Sequence, residues 1–107
     1  MTWRVRDRST FSALAAAPRR RRGPISLACL PGEDDIPPRV AYAVGRKVGG
    51  AVTRNRVRRR LKASVARHRP ELRPGTAYLF GAGREAVTMP YAELDAAVGE
   101  LLAGRAQ

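Results

Sequence analysis

One cysteine and one histidine are all that this 107-residue chain offers toward disulfide or metal-ligand chemistry. Cys29 alone cannot close an intrachain disulfide and has no partner thiols for a structural zinc site, which fits a reducing compartment. No run approaches the roughly 20 apolar residues needed to span a bilayer. The start MTWRVRDRST also lacks the apolar middle of a secretory signal. A cytoplasmic protein with no membrane partner is therefore expected. Acids are scarce too, nine against 21 Lys and Arg, and residues 36–70 hold eleven basic residues and none. A protein that itself performs metal-assisted hydrolysis needs clustered carboxylates or histidines around the ion, and this segment supplies only His68. His68 lies on an apolar stripe and reads as structural. The one acidic cluster, Glu33 to Asp35, reads as a solvated turn, so no catalytic and no metal-binding residue is assigned.

What is present is a globular content of apolar residues, 44%, joined to a net charge of +12. The length suits a single domain over 1–107, with residues 1–5 and 103–107 expected to be flexible. Self-repulsion on this scale disfavours a compact state unless the partner is a polyanion. Arginine outnumbers lysine nineteen to two, which agrees with bidentate phosphate recognition and equally with an arginine-rich genome. Besides the central block there is a second run, Arg19, Arg20, Arg21 and Arg22. Four adjacent like charges read as a loop that stays mobile until bound, and they form a possible auxiliary basic patch.

Periodicity supplies the scaffold. RDRSTFSALAAA predicts a first helix with Phe11, Leu14 and Ala15 at helical spacing and Pro18 as its stop. PISLACL alternates Ile25, Leu27 and Cys29 against Ser26, Ala28 and Leu30, and RVAYAV sets Val40, Tyr42 and Val44 on one face, so both read as strands. TAYLFGAG is a third strand with Tyr78 and Phe80 on one side. PYAELDAAVGELLAG closes as a helix buried through Leu94, Val98, Leu101 and Leu102. Between the second and third strands lies the basic segment, so those strands are expected to be parallel neighbours in a small sheet covered on one face by helices.

That segment, GRKVGGAVTRNRVRRRLK, carries eight basic residues in eighteen positions. A helix is expected to start between Gly50 and Arg54 and to end before Pro70. Val57, Leu61, Ser64, Val65 and His68 fall within one third of its circumference and face a core. Arg56, Arg59, Arg60 and Arg67 lie opposite, while Arg54, Arg58 and Lys62 run along one edge of the stripe. Like charges four apart repel by roughly 0.2–0.5 kcal/mol per pair, and arginines in the first turn oppose the helix dipole. Stability alone does not select such an arrangement.

The same string resembles the signature of the bacterial ribonuclease P protein subunit. A basic dipeptide, a valine-glycine pair, AV, a central RNR and a basic helix follow in that order, and the likeness extends from about Arg6 to Leu102. The resemblance implies an α+β fold, an α/β two-layer sandwich with a small mixed sheet like one domain of a ribosomal protein, including a left-handed βαβ crossover. It also implies an accessory subunit of an endoribonuclease whose catalytic RNA removes the 5′ leader of precursor tRNA. Mg2+ would be held mainly by that RNA, with no organic cofactor. Carried over residue by residue, Arg46, Lys47, Arg54, Asn55, Arg56, Arg58, Arg59 and Lys62 are the expected contacts to the catalytic RNA. Asn55 can both donate and accept, and Arg58 has the alternative of snorkelling along the core edge.

The family's leader-binding cleft, formed by the sheet and the first helix, is matched less fully. Phe11 stands at the first aromatic position, but Ala15 and Ala28 replace common aromatics. Tyr42 and Tyr78 are the other possible leader-binding residues, with core burial as the rival reading for all three. Gly50 replaces the asparagine usual before AV, a change of a few tenths of a kcal/mol in capping, and the basic tail of many relatives is missing after Gln107. The alternative is a non-catalytic ribosomal or RNA-assembly protein. A DNA-binding regulator would call for a helix-turn-helix unit or a dimerisation seam, and neither is evident.

Overall fold

The computed structural model describes residues 3–32 and 35–104. In chain order come β1 (Trp3–Arg4), α1 (Arg8–Ala16), β2 (Arg20–Arg22), β3 (Ile25–Leu30), β4 (Arg39–Val44), α2 (Ala51–Arg67), β5 (Ala77–Ala82) and α3 (Tyr91–Leu102). The strands form one mixed sheet in the order β1-β4-β5-β3-β2. β4 pairs parallel with β5, Val40 opposite Tyr78 and Tyr42 opposite Phe80, so the basic helix is the crossover of a β-α-β unit. β3 runs antiparallel to β5 on the other side and continues back into β2 through Gly23-Pro24, where Gly23 takes the positive φ of 60° that a tight hairpin demands of its first turn residue.

Strand pleating sends alternate side chains to opposite faces. One face carries Ile25, Leu27, Val40, Val44, Tyr78 and Phe80, which pack against Val57, Leu61 and Val65 of α2 and Leu94, Val98 and Leu101 of α3. Burying each of the larger side chains contributes about 1.5–3 kcal/mol. This sheet-on-helix pair is the expected two-layer sandwich. The other face is made of Ala28, Ala41, Ala77 and Leu79, and Leu14 of α1 seats on it. The expectation of helices on one face therefore holds for α2 and α3 and fails for α1. The physical reason is that the central strands are apolar on both faces, and small residues on the second face let a short helix approach closely.

One further expectation is corrected, and two segments are placed. The arginine run is not wholly a loop: Arg20, Arg21 and Arg22 form edge strand β2, opposite Leu27, Ser26 and Ile25, and Arg19 precedes it. An edge strand needs no apolar alternation, and charged side chains there prevent further strand addition. Within the supposedly flexible 1–5 segment, Trp3 and Arg4 pair in parallel with Arg39 and Val40. In α1 only Leu14 is buried, while Phe11 is 43% exposed and Ala15 is exposed. Asp7 caps this helix, its carboxylate accepting the Thr10 amide at 2.9 Å. The remaining expectations for residues 1–2, 33–34 and 105–107 lie outside the described residues.

Candidate nucleic-acid interface

The basic segment begins where β4 ends. Gly45 opens a 3₁₀ turn, Arg46–Val48, closed by hydrogen bonds from Val48 N to the Gly45 carbonyl at 3.1 Å and from Gly49 N to the Arg46 carbonyl at 3.2 Å. Val48 is buried and anchors the turn, which leaves Arg46 and Lys47 exposed. Arg84 steadies it from the far side, its Nε donating to the Lys47 carbonyl at 3.3 Å. Gly49 then adopts φ 154°, ψ −166°, a region open essentially to glycine, and a Cβ there would stand 3.0 Å from Thr53 Cγ2. Gly50 is the N-cap of α2 and offers no side-chain bond.

α2 spans Ala51–Arg67 and buries Val57, Leu61, Ser64 and Val65 as the stripe predicts. Its two flanks differ. Toward α3 the polar groups are satisfied within the protein. Arg60, expected on the solvent side, is half-buried, and its guanidinium donates to the Ala86 carbonyl at 3.0 Å and to the Met89 carbonyl. The fully buried Ser64 hydroxyl donates to Asp95 Oδ1 at 2.7 Å, and Arg67 Nε lies 3.5 Å from Asp95 Oδ2. His68 sits between Glu71 Oε2, 2.5 Å from Nδ1, and Asp95 Oδ1, 3.3 Å from Nε2, the latter a contact without hydrogen-bond alignment. Burial pushes the Asp95 carboxyl up, but Ser64, His68 and Arg67 together outweigh it and hold the group below its ordinary value.

Toward β1 and β4 the cations have no such partners. Among the described residues, none of the side chains of Arg46, Lys47, Arg54, Arg56, Arg58, Arg59 and Lys62 reaches a carboxylate. Asn55, Arg58, Arg59 and Lys62 line a shallow groove of about 480 Å³ together with Val52, which is 76% exposed. Arg58 is half-buried and its Nη1 donates to Asn55 Oδ1 at 2.7 Å, which holds the pair side by side. Arg54 is half-buried, with its Nε enclosed and without a partner among the described residues. Arg56 is exposed but lines neither this groove nor the next.

A second groove of about 550 Å³ opens beside the first, at the β1 and β4 edge of the sheet. Its apolar wall is Val5, Phe11, Val40, Tyr42 and Val65; its cations are Arg4, Arg58, Lys62 and Arg69, and among the described residues no acid lines it. Phe11 and Tyr42 are therefore brought together although they belong to different elements. Tyr42 ends a row of rings across the sheet, 6.2 Å from Phe80, which in turn lies 6.4 Å from Tyr78. The Lys62 ammonium stands 5.8 Å from the Tyr42 ring centroid. Burial pushes the Tyr42 hydroxyl up to about 12, so it stays protonated at neutral pH. Tyr78 is not available for stacking: it is 4% exposed, and its hydroxyl accepts the Arg73 amide at 2.8 Å. Val52, Arg4 and Arg69 were not singled out from sequence. Val52 precedes Asn55 by three and Arg59 by seven, a helical spacing that could have shown it; Arg4 and Arg69 reach the groove only through tertiary packing.

Fold and surface together define a small α+β protein with a two-groove cationic face. Comparison with known proteins agrees. The family model described as ribonuclease P matches residues 1–105. A ribonuclease P protein component from a Synechococcus strain is 39% identical over 104 residues, covering 92% of this chain and 78% of that protein. One from Symbiobacterium thermophilum is 35% identical over 100 residues, covering 92% and 87%. Among solved structures, the ribonuclease P protein of Staphylococcus aureus superposes with a TM-score of 0.81 at 16% identity, covering 94% and 93% of the two chains. That of Thermotoga maritima does so with a TM-score of 0.79 at 17% identity, covering 92% and 94%. At those identities the two structures show the fold alone. The chain belongs to the ribonuclease P family, as its protein component.

Proposed function

We propose that this chain, in the cytoplasm, binds ribonuclease P RNA through Arg46, Lys47 and the exposed face of α2, and holds the 5′ leader of precursor tRNA in the edge groove. The observation that carries this reading is the acid-free run of cations shared by the two grooves, with Phe11 and Tyr42 set into it. Phosphates pair with the guanidinium and ammonium groups. An unpaired base stacked on an aromatic ring gains on the order of 1–3 kcal/mol, and the groove offers two rings where Ala15 and Ala28 offer none.

On this reading the protein supports Mg2+-dependent endonucleolytic removal of the leader, without an organic cofactor, and bond cleavage takes place in the RNA. Among the described residues, no three His, Cys, Asp or Glu side chains come together as a metal cage, and this reading assigns the ion to the RNA. When bound by the RNA, magnesium supplies charge stabilisation at the scissile phosphate; the protein's part is to position substrate and neutralise phosphates.

The test is cleavage of a 5′-labelled precursor tRNA at low magnesium by the protein with the ribonuclease P RNA of the same organism, each component alone serving as control. Cleavage at the mature 5′ end only with both present is expected. Binding without any stimulation of turnover would favour an RNA-assembly protein instead.

A further inference from the structure

α1 is held to the sheet at two points. One is Leu14, its single buried side chain, seated on Ala28, Ala41, Ala77 and Leu79. The other is Arg39 of β4, which stands on the same side as Ala41 because strand residues two apart share a face. Its Nη1 lies 3.7 Å from Asp7 Oδ1 and donates to Thr10 Oγ1 at 3.5 Å. Asp7 in turn accepts the Thr10 amide and the Ser9 hydroxyl, each at 2.9 Å. One guanidinium thus grips both the N-cap and the first turn of α1 from a strand 29 residues beyond Thr10.

Phe11 lies between these attachments. Its amide donates to the Asp7 carbonyl at 3.2 Å, so its backbone is bonded to the capping residue itself. A lone leucine on a floor of mostly alanine fixes the height of a helix but not its rotation, since such a floor has few ridges to key against. The backbone bond from Val5 N to the Val40 carbonyl, 3.3 Å, precedes the helix and leaves its direction open. Rotation of α1 decides where the Phe11 ring, 43% exposed, stands relative to Tyr42 in the edge groove. Arg39 supplies the missing constraint. It does so with its Nε enclosed and, among the described residues, without a partner. An enclosed donor left unpaired lowers stability, so the arrangement is not the one that stability would favour.

We propose that Arg39 is a positioning residue, which through Asp7 and Thr10 sets the rotation of α1 and so holds Phe11 as a wall of the edge groove. Arg39 does not line that groove and acts only through the helix. This rests on the reading of the groove as the seat of the 5′ leader, and it concerns how the groove keeps its shape, not what it binds. The rival explanation is a clamp that only stabilises the fold, whose removal would be felt whether or not the Phe11 ring is present.

The test is a double-mutant cycle of R39M and F11A. Each variant is assembled with the ribonuclease P RNA, and affinity is measured for a long-leader precursor tRNA and for leaderless tRNA. F11A is expected to weaken the precursor about fivefold or more, the lower end of what one stacked base contributes. R39M should weaken it by a comparable factor, leave leaderless tRNA and assembly with the RNA unchanged, and have no further effect when added to F11A. R39K, which keeps a cation beside Asp7 and Thr10, should restore most of the loss. If melting shows that R39M does not fold, D7N takes its place in the cycle, since asparagine keeps a capping acceptor but withdraws the charge that Arg39 holds. A loss in F11A without one in R39M overturns the proposal and leaves the groove reading standing. Additive losses do the same, because they belong to a purely structural clamp. No loss in either variant overturns both. If the wild-type protein neither assembles with the RNA nor stimulates cleavage, the ribonuclease P reading itself has failed, a result readable before any variant is made.

Discussion

At the scale of single residues, neighbouring arginines on one helix do different work, and this can be measured. Arg60→Met leaves the Ala86 and Met89 carbonyls without their donor, and a loss of about 1–3 kcal/mol in urea unfolding is expected. Arg59→Gln, one residue away on the exposed side, should leave stability within about 0.5 kcal/mol of wild type and make the salt dependence of RNA binding shallower by about 0.9 if the contact is to duplex RNA. Gly49→Ala forces a Cβ against Thr53 at a backbone conformation that other residues avoid, a cost of about 1–3 kcal/mol. Because Gly49 closes the turn carrying Arg46 and Lys47, RNA affinity should fall with it. The aromatic positions show how residue-level reading reaches its limit: Tyr42 and Tyr78 share a face and a period, yet only Tyr42 lies on the groove, since Tyr78 is one strand further into the sheet.

At the scale of elements, one carboxylate of α3 gathers the polar groups on the inner flank of α2 beside their shared apolar core. Asp95 receives the Ser64 hydroxyl and faces Arg67 and His68, and its folded-state pKa is depressed below the ordinary 3.8. A depressed carboxyl pKa means stability that is present above about pH 4 and lost as pH falls through the lower, folded-state value. Asp7 acts in the same direction at the start of α1, where the Thr10 hydroxyl and amide and the Ser9 hydroxyl lower its carboxyl to about 2. Acid unfolding should accordingly begin below pH 4, with loss of α1 capping spread between about 4 and 2. Asp95→Asn should flatten that profile when melting temperature is followed against pH; an identical profile would show that the Asp95 contacts contribute nothing. The stripe on α2 was legible as an element because Val57, Leu61 and Val65 repeat with the helical period. The role of its flanks was not, since a helical wheel does not say which neighbour stands beside which flank.

At the scale of the whole molecule, charge is sorted by the fold. Asp95 and Glu100 of α3 neutralise Arg67 and Arg22, while the acid-free segment 36–70 presents its remaining cations at the β4 edge and beyond. If six to eight phosphates are contacted, assembly with the RNA should weaken with salt along a log-log slope on the order of −4 to −7. A slope near zero in a filter-binding or fluorescence titration would show that the cationic face is not the interface.

The sequence by itself determined the charge excess of +12 that points to a polyanionic partner. It also determined the family, through the string from Gly45 to Lys62, and the order of the main elements, through apolar periods local enough to read along the chain. The tertiary structure decided what depends on contacts between distant segments. It put α1 on the opposite face of the sheet from α2, turned the arginine run into an edge strand with alternating faces, drew Phe11 and Tyr42 into one groove, and withdrew Tyr78 and Arg60 from solvent. Periodicity reports which side of an element is apolar, but what that side meets is set by how the sheet is ordered, and pairing between strands far apart in sequence leaves no local signal.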